Sequence, residues 1–153
     1  METPDFLSYF NHVPHLSKHF LGTFPIDKIP KTMKNKTFFV CNLDPSFMAG
    51  SHWIGLIKII SSEVEIFDSL GFRSDLICPY LNFTKSCTLI FNKTPVQDQT
   101  SFLCGKFVIT FLVERMLNQS MSFHDIIEEV FSENLNKNDD IVNEYCLQLK
   151  NSV

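Results

Sequence analysis

HWIGLIKIISSEVEIF, His52 to Phe67, is the stretch from which the rest of the chain is read. His52 to Ile60 is dense in Ile, Leu and Trp and predicts a strand. Ser61-Ser62 is short enough for a tight turn, and Val64 to Phe67 resumes as a second strand, so the pair predicts an antiparallel hairpin. Outward from it, Thr37 to Cys41 is a compact apolar run that predicts another strand, and Cys87 to Phe91 predicts a further sheet member. Asp44 to Ser51 is turn-like through Pro45 and Gly50. Pro14, Gly22, Pro25 and Pro30 punctuate a stretch that reads as loop.

The helices fall at the two ends. Asp5 to Asn11 predicts a short one, with Thr3 as N-cap and Pro4 at the first helical position. Cys104-Gly105 opens an apolar run to Leu117, in which Phe107, Phe111 and Leu112, broadened by Val108 and Ile109, predict a buried helix. Helices at Phe123 to Phe131 and Asp139 to Lys150 follow, with Ser122 and Asn138 as caps. The expected class is α+β: one domain over residues 1–153, with a small, mostly antiparallel sheet flanked by helices.

Composition narrows the function. A formal charge of −4 gives no electrostatic reason to expect broad nucleic-acid binding. No apolar run is long enough to span a membrane, and the opening Met-Glu-Thr-Pro-Asp lacks signal-peptide character, so the chain reads as intracellular. Five cysteines, Cys41, Cys78, Cys87, Cys104 and Cys146, show neither CxxC pairing nor zinc-like spacing and read as free thiols. His12, His15 and His19 have no acidic or cysteine partner nearby, and Pro14 interrupts any helix that would align them; no metal site is expected.

Hydrolysis by a thiol needs a nucleophile, a base, a group orienting the base, and donors for the oxyanion. Cys104 stands where a polar loop meets the start of a buried helix, a place where unpaired N–H groups favour a thiolate. Gly105 leaves no side chain where a substrate backbone would approach. The competing reading of Cys104 is a small core residue. His52 heads a strand beside the only Trp, Trp53, and reads either as a base projecting into a cleft or as a surface histidine. In a symmetrical hairpin register Asp68 lies next to His52 and can hold its tautomer; otherwise it is a turn former. Gln97, with Gln99 as rival, can offer a side-chain amide to an oxyanion alongside the Cys104 N–H.

Taken in order, Gly50-Ser51-His52-Trp53, Phe67-Asp68-Ser69-Leu70-Gly71-Phe72, and Val96-Gln97 followed after six residues by Cys104-Gly105 resemble the adenain family, the adenovirus-type maturation proteases. Phe20-Leu21-Gly22-Thr23-Phe24 resembles that family's early Phe-Leu-Gly-Thr-aromatic segment. The resemblance spans about Phe20 to Leu112 and leaves the C-terminal part uncovered.

What the resemblance implies is a permuted papain-like fold, with the histidine strand before the cysteine helix. His52 is then the base, Asp68 its orienter and Cys104 the nucleophile; Gln97 and the Cys104 N–H form the oxyanion hole. Gly50, Ser51, Trp53 and Gly105 line a substrate cleft that favours Gly-rich sites. The implied activity is processing of viral capsid and core precursors, inside the infected cell and in the virion, by a monomer. The short chain points to a virophage or Maverick/Polinton-type relative. Adenovirus enzymes use a disulfide-linked peptide and DNA as activators. Cys87 falls near the peptide-linking position, whereas the acidic charge argues against DNA. Nothing in the sequence requires a cofactor. An isopeptidase acting on ubiquitin-like tails and an acyltransferase of the same clan would draw on the same residues.

Overall fold

The computed structural model describes residues 4–44, 52–72, 74–82 and 85–151. Its elements run α1 (Phe6–Phe10), β1 (Phe20–Pro25), β2 (Thr37–Asn42), β3 (Trp53–Lys58), β4 (Glu63–Phe67), α2 (Ser74–Ile77), β5 (Thr88–Phe91), α3 (Cys104–Leu117), α4 (Phe123–Val130) and α5 (Leu135–Asn151). Ser61 and Ser62 turn the chain between β3 and β4, which pair antiparallel with Gly55 opposite Phe67 and Ile57 opposite Glu65. The fold class is α+β, as expected.

The five strands lie in sequence order, β1-β2-β3-β4-β5. Only β2–β3 and β3–β4 are antiparallel, while β1–β2 and β4–β5 are parallel. The expected mostly antiparallel sheet is thus corrected to a mixed one. Each parallel pair is reached by a long connection, Pro25 to Thr37 and Phe67 to Thr88, as parallel neighbours demand. β1 is a second correction, since its residues read as loop. It is an edge strand whose register with β2 shifts between Phe20 and Thr23, where Gly22 takes φ +129. A bulged edge strand ending in proline tolerates the residues that a central strand excludes.

The central strands are buried on both faces, which explains their unbroken apolar runs. Phe38, Val40, Trp53, Ile57 and Phe67 join the core beneath α1, α3, α4 and α5. Phe39, Cys41, Ile54, Leu56 and Ile66 form a second core on the opposite face with Ile26, Ile77 and Leu81. α3 is buried nearly all round, because the sheet and three helices enclose it. It lies close on β3: a Cβ added to Gly55 would sit 3.2 Å from Leu112.

A buried ion pair also ties α3 to the sheet. Arg115 Nε and a terminal nitrogen donate to the two Glu65 carboxylate oxygens at 2.7 and 2.8 Å. The same guanidinium donates to the carbonyls of Asn118 and Gln119 just past the helix end.

Ser122 caps α4 as expected, accepting from the Asp125 N–H. Two other caps differ. Asp5, not Thr3, accepts from Ser8 N–H at the start of α1; Thr3 lies outside the described residues. α5 begins at Leu135, ahead of the expected Asp139, so Asn138 is a buried residue inside the helix.

Candidate active site

Phe67 fixes the end of β4. Its ring stacks on Phe111 of α3 at 4.4 Å and on Phe131 at 5.8 Å, contacts worth about 1 kcal/mol each beyond burial. The next residue, Asp68, is 1% exposed and is gripped from β5's end by Asn92. Asn92 Nδ2 donates to the Asp68 carbonyl at 2.6 Å, and the Asp68 N–H donates to Asn92 Oδ1 at 3.0 Å. The carboxylate Oδ1 also accepts from the Leu70 N–H. The backbone and carboxylate of Asp68 are therefore both held before any histidine is considered.

His52, one residue before β3, meets that carboxylate. Its Nε2 lies 2.6 Å from Asp68 Oδ1, a diagonal contact, since the register that sets Gly55 opposite Phe67 carries Asp68 towards Ile54 and not His52. Cys104, the first residue of α3, is the imidazole's other side-chain hydrogen-bond partner, so the ring bridges carboxylate and thiol. Since Nε2 faces Asp68, Nδ1 is the nitrogen left for sulfur. Burial alone would lower the imidazole's pKa. The hydrogen bonds to Asp68 and Cys104, and the electrostatic attraction of those two groups, outweigh it and raise the value to about 9. These surroundings favour the charged form of the ring.

Of the two candidate glutamines, Gln97 is 2% exposed and Gln99 is exposed. Gln97 Nε2 donates to the carbonyl of Ser101, three residues before Cys104, at 3.1 Å. Its Oε1 accepts from the Ser69 hydroxyl. The Ser69 carbonyl accepts from the N–H groups of Val96 and Gln97, both at 2.9 Å. Asn138 closes the assembly by donating to the Val96 carbonyl at 2.7 Å.

The sequence reading gave Ser69, Asn92 and Asn138 no part in the site: Ser69 stood only inside a motif, and Asn138 was expected as a cap. Only Ser69 carried a signal, its adjacency to the candidate acid. Asparagines bracketed by loop and helix look like turn or cap residues until long-range partners are known.

The expected substrate-side residues divide. Gly50 and Ser51 lie outside the described residues. Trp53 packs edge-on against Phe6 of α1 at 5.3 Å. The room that Gly105 leaves is occupied by Pro4, whose Cγ would be 2.5 Å from an added Cβ. The N-terminal segment Pro4 to Phe6 thus braces both the residue after His52 and the residue after Cys104. Cys87 is half-buried just ahead of β5, its thiol donating to the Ser61 carbonyl at 3.4 Å. A groove of about 740 Å³ lies between β5 and α4, lined by Phe91, Val96, His124 and Phe131 among others, and includes neither His52, Asp68 nor Cys104.

Among the described residues no group of three or more His, Cys, Asp or Glu side chains is placed to hold a metal ion. Among them, too, no helix is long and apolar enough to cross a membrane. No protein-family model matches the chain, and a search of curated proteins finds no match either.

Proposed function

We propose that this chain is a cysteine endopeptidase with a permuted papain-like fold, cleaving viral capsid and core precursors in the manner of the adenain-type proteases it resembles. One observation carries the reading: the His52 imidazole bridges a buried carboxylate and a thiol that begins a helix. Structural histidines are commonly satisfied by backbone carbonyls or by one side chain. An imidazole joining an acid to a sulfur is the arrangement that activates a nucleophile.

In this reading the Cys104 thiolate, paired with the His52 imidazolium, attacks the carbonyl carbon of the scissile bond. The oxygen of the tetrahedral intermediate takes hydrogen bonds from the Cys104 backbone N–H and from the second Nε2 hydrogen of Gln97. His52 gives its proton to the departing amine, leaving a thioester on Cys104. Neutral His52 then takes a proton from water, whose attack on the thioester carbonyl releases the acid and frees the thiol. Asp68 holds the ring in the required tautomer throughout and stabilises its charged form.

The test is limiting alkylation with iodoacetamide near neutral pH, each of the five cysteines being read by peptide mass spectrometry. Cys78 is exposed and supplies the rate of an ordinary accessible thiol. Cys41 and Cys146 are buried, with their thiols pushed up to about 12 and about 11, and supply the slow limit. Cys104 is expected to react faster than Cys78 despite its burial, and to lose that advantage in His52→Ala. A Cys104 rate at or below that of Cys78 would remove the proposed nucleophile.

A further inference from the structure

We propose that Ser69 is a positioning residue that selects which end of the Gln97 amide faces the reaction centre. The inference rests on the reading of Cys104 as nucleophile and of Gln97 as its oxyanion donor. A glutamine serves an oxyanion only through its NH₂ end; turned over, it presents a carbonyl oxygen that repels the developing charge. Two partners hold the amide one way round. Ser101 offers a backbone carbonyl, which only accepts, so the end facing it is nitrogen. Ser69 offers a hydroxyl, which donates to the oxygen end.

Ser69 does this from a rigid place. It is fully buried, it follows Asp68 directly, and its carbonyl accepts from both Val96 and Gln97. The dipeptide Asp68-Ser69 therefore orients both auxiliary groups: its first residue directs the base and its second the oxyanion donor. Without the Ser69 hydroxyl, Gln97 Oε1 would be left buried without a donor, and the side chain would lose one of its two tethers.

Two small reagents that attack the same sulfur separate this role from a merely structural one. Iodoacetamide alkylates by direct displacement of iodide and builds no oxyanion. With p-nitrophenyl acetate, the Cys104 sulfur bonds to the acetyl carbon through a tetrahedral oxyanion, the ester C–O bond breaks, and p-nitrophenolate leaves. Peptide mass spectrometry reads both products at Cys104.

Ser69→Ala is expected to slow acetylation by about tenfold, within the range of a weakened oxyanion donor, and to change alkylation by less than about twofold. Gln97→Ala should show the same pattern at least as strongly. The double variant should be no slower than Gln97→Ala, because both changes remove one interaction. Equal losses with the two reagents, or losses that multiply in the double variant, would overturn the role assigned to Ser69. Should Ser69→Ala fail to fold by circular dichroism, Ser69→Cys makes the same comparison, since a thiol fills similar space but donates weakly. Failure of the underlying reading looks different: wild-type Cys104 would then show no His52-dependent reaction with either reagent.

Discussion

Asn138 in α5 donates its side-chain amide to the carbonyl of Val96, the residue before Gln97, at 2.7 Å. The same side chain donates to the Ser132 carbonyl at 2.8 Å and accepts from the Ser132 N–H at 2.7 Å. The C-terminal helix, outside the region of family resemblance, thus anchors the loop that carries the proposed oxyanion donor.

Asn138→Ala would leave these backbone groups unsatisfied at a fully buried position. It is expected to cost about 2 kcal/mol of stability, measured as a lower urea midpoint with an unchanged slope. Asn138→Asp should cost more, because a carboxylate cannot donate to the Val96 and Ser132 carbonyls and would be buried against them. A midpoint shift within error for both variants would show that the anchor contributes nothing.

His52 makes stability depend on pH in a defined direction. Its folded-state value, raised to about 9, lies above the ordinary 6.5, so protonation favours the folded chain. That contribution is fully present below about pH 6.5 and is lost as the pH rises through about 9. The stability difference between wild type and His52→Ala should therefore be larger at pH 6 than at pH 10. In Asp68→Asn the imidazole loses a charged partner, and its titration, followed by ring-proton NMR, should move down. An unmoved titration would mean that Asp68 does not sustain the charge.

Arg115 and Glu65 are a buried pair joined by two hydrogen bonds. Glu65→Gln and Arg115→Met should each cost about 3–5 kcal/mol, since each leaves a buried charge without its partner. Replacing both with apolar residues should cost clearly less than the sum of the single changes. Thermal melts of the three variants measure this, and strictly additive losses would contradict it.

Gly105→Ala puts a methyl group where Pro4 now sits. The expected response is displacement of the N-terminal segment, read as faster limited proteolysis around Leu7 and Tyr9 while the α3–α5 region stays resistant. Proteolysis at the wild-type rate would show that Pro4 yields without releasing α1.

The legible parts of this fold are those whose signal is local. The β3–β4 hairpin, β2, α3 and the cap on α4 follow from short-range apolar pattern and turn chemistry. The nearness of His52 to Asp68 was legible only coarsely: a tight hairpin brings the two strand ends together, but the register pairs Gly55 with Phe67, so the side chains meet on a diagonal. β1 was hidden because Gly22 and Pro25 are breakers by propensity, and only the pairing with β2 makes an edge strand of them. The parallel pairing of the outer strands had no local signal either, since a crossover's direction is set by how its ends pack on the sheet.

By itself, then, the sequence determined which residues the proposed chemistry draws on: a thiol opening a helix, a histidine and an acid at adjoining strand ends, and an amide ahead of the thiol. Tertiary structure alone decided how they are held. It turned a mid-helix asparagine into a loop anchor, buried Gln97 while leaving Gln99 exposed, joined Ser69 to the amide, and filled the space at Gly105 with Pro4. The reason is physical. Donors and acceptors that could equally face water acquire particular partners only when burial removes the solvent that would otherwise satisfy them.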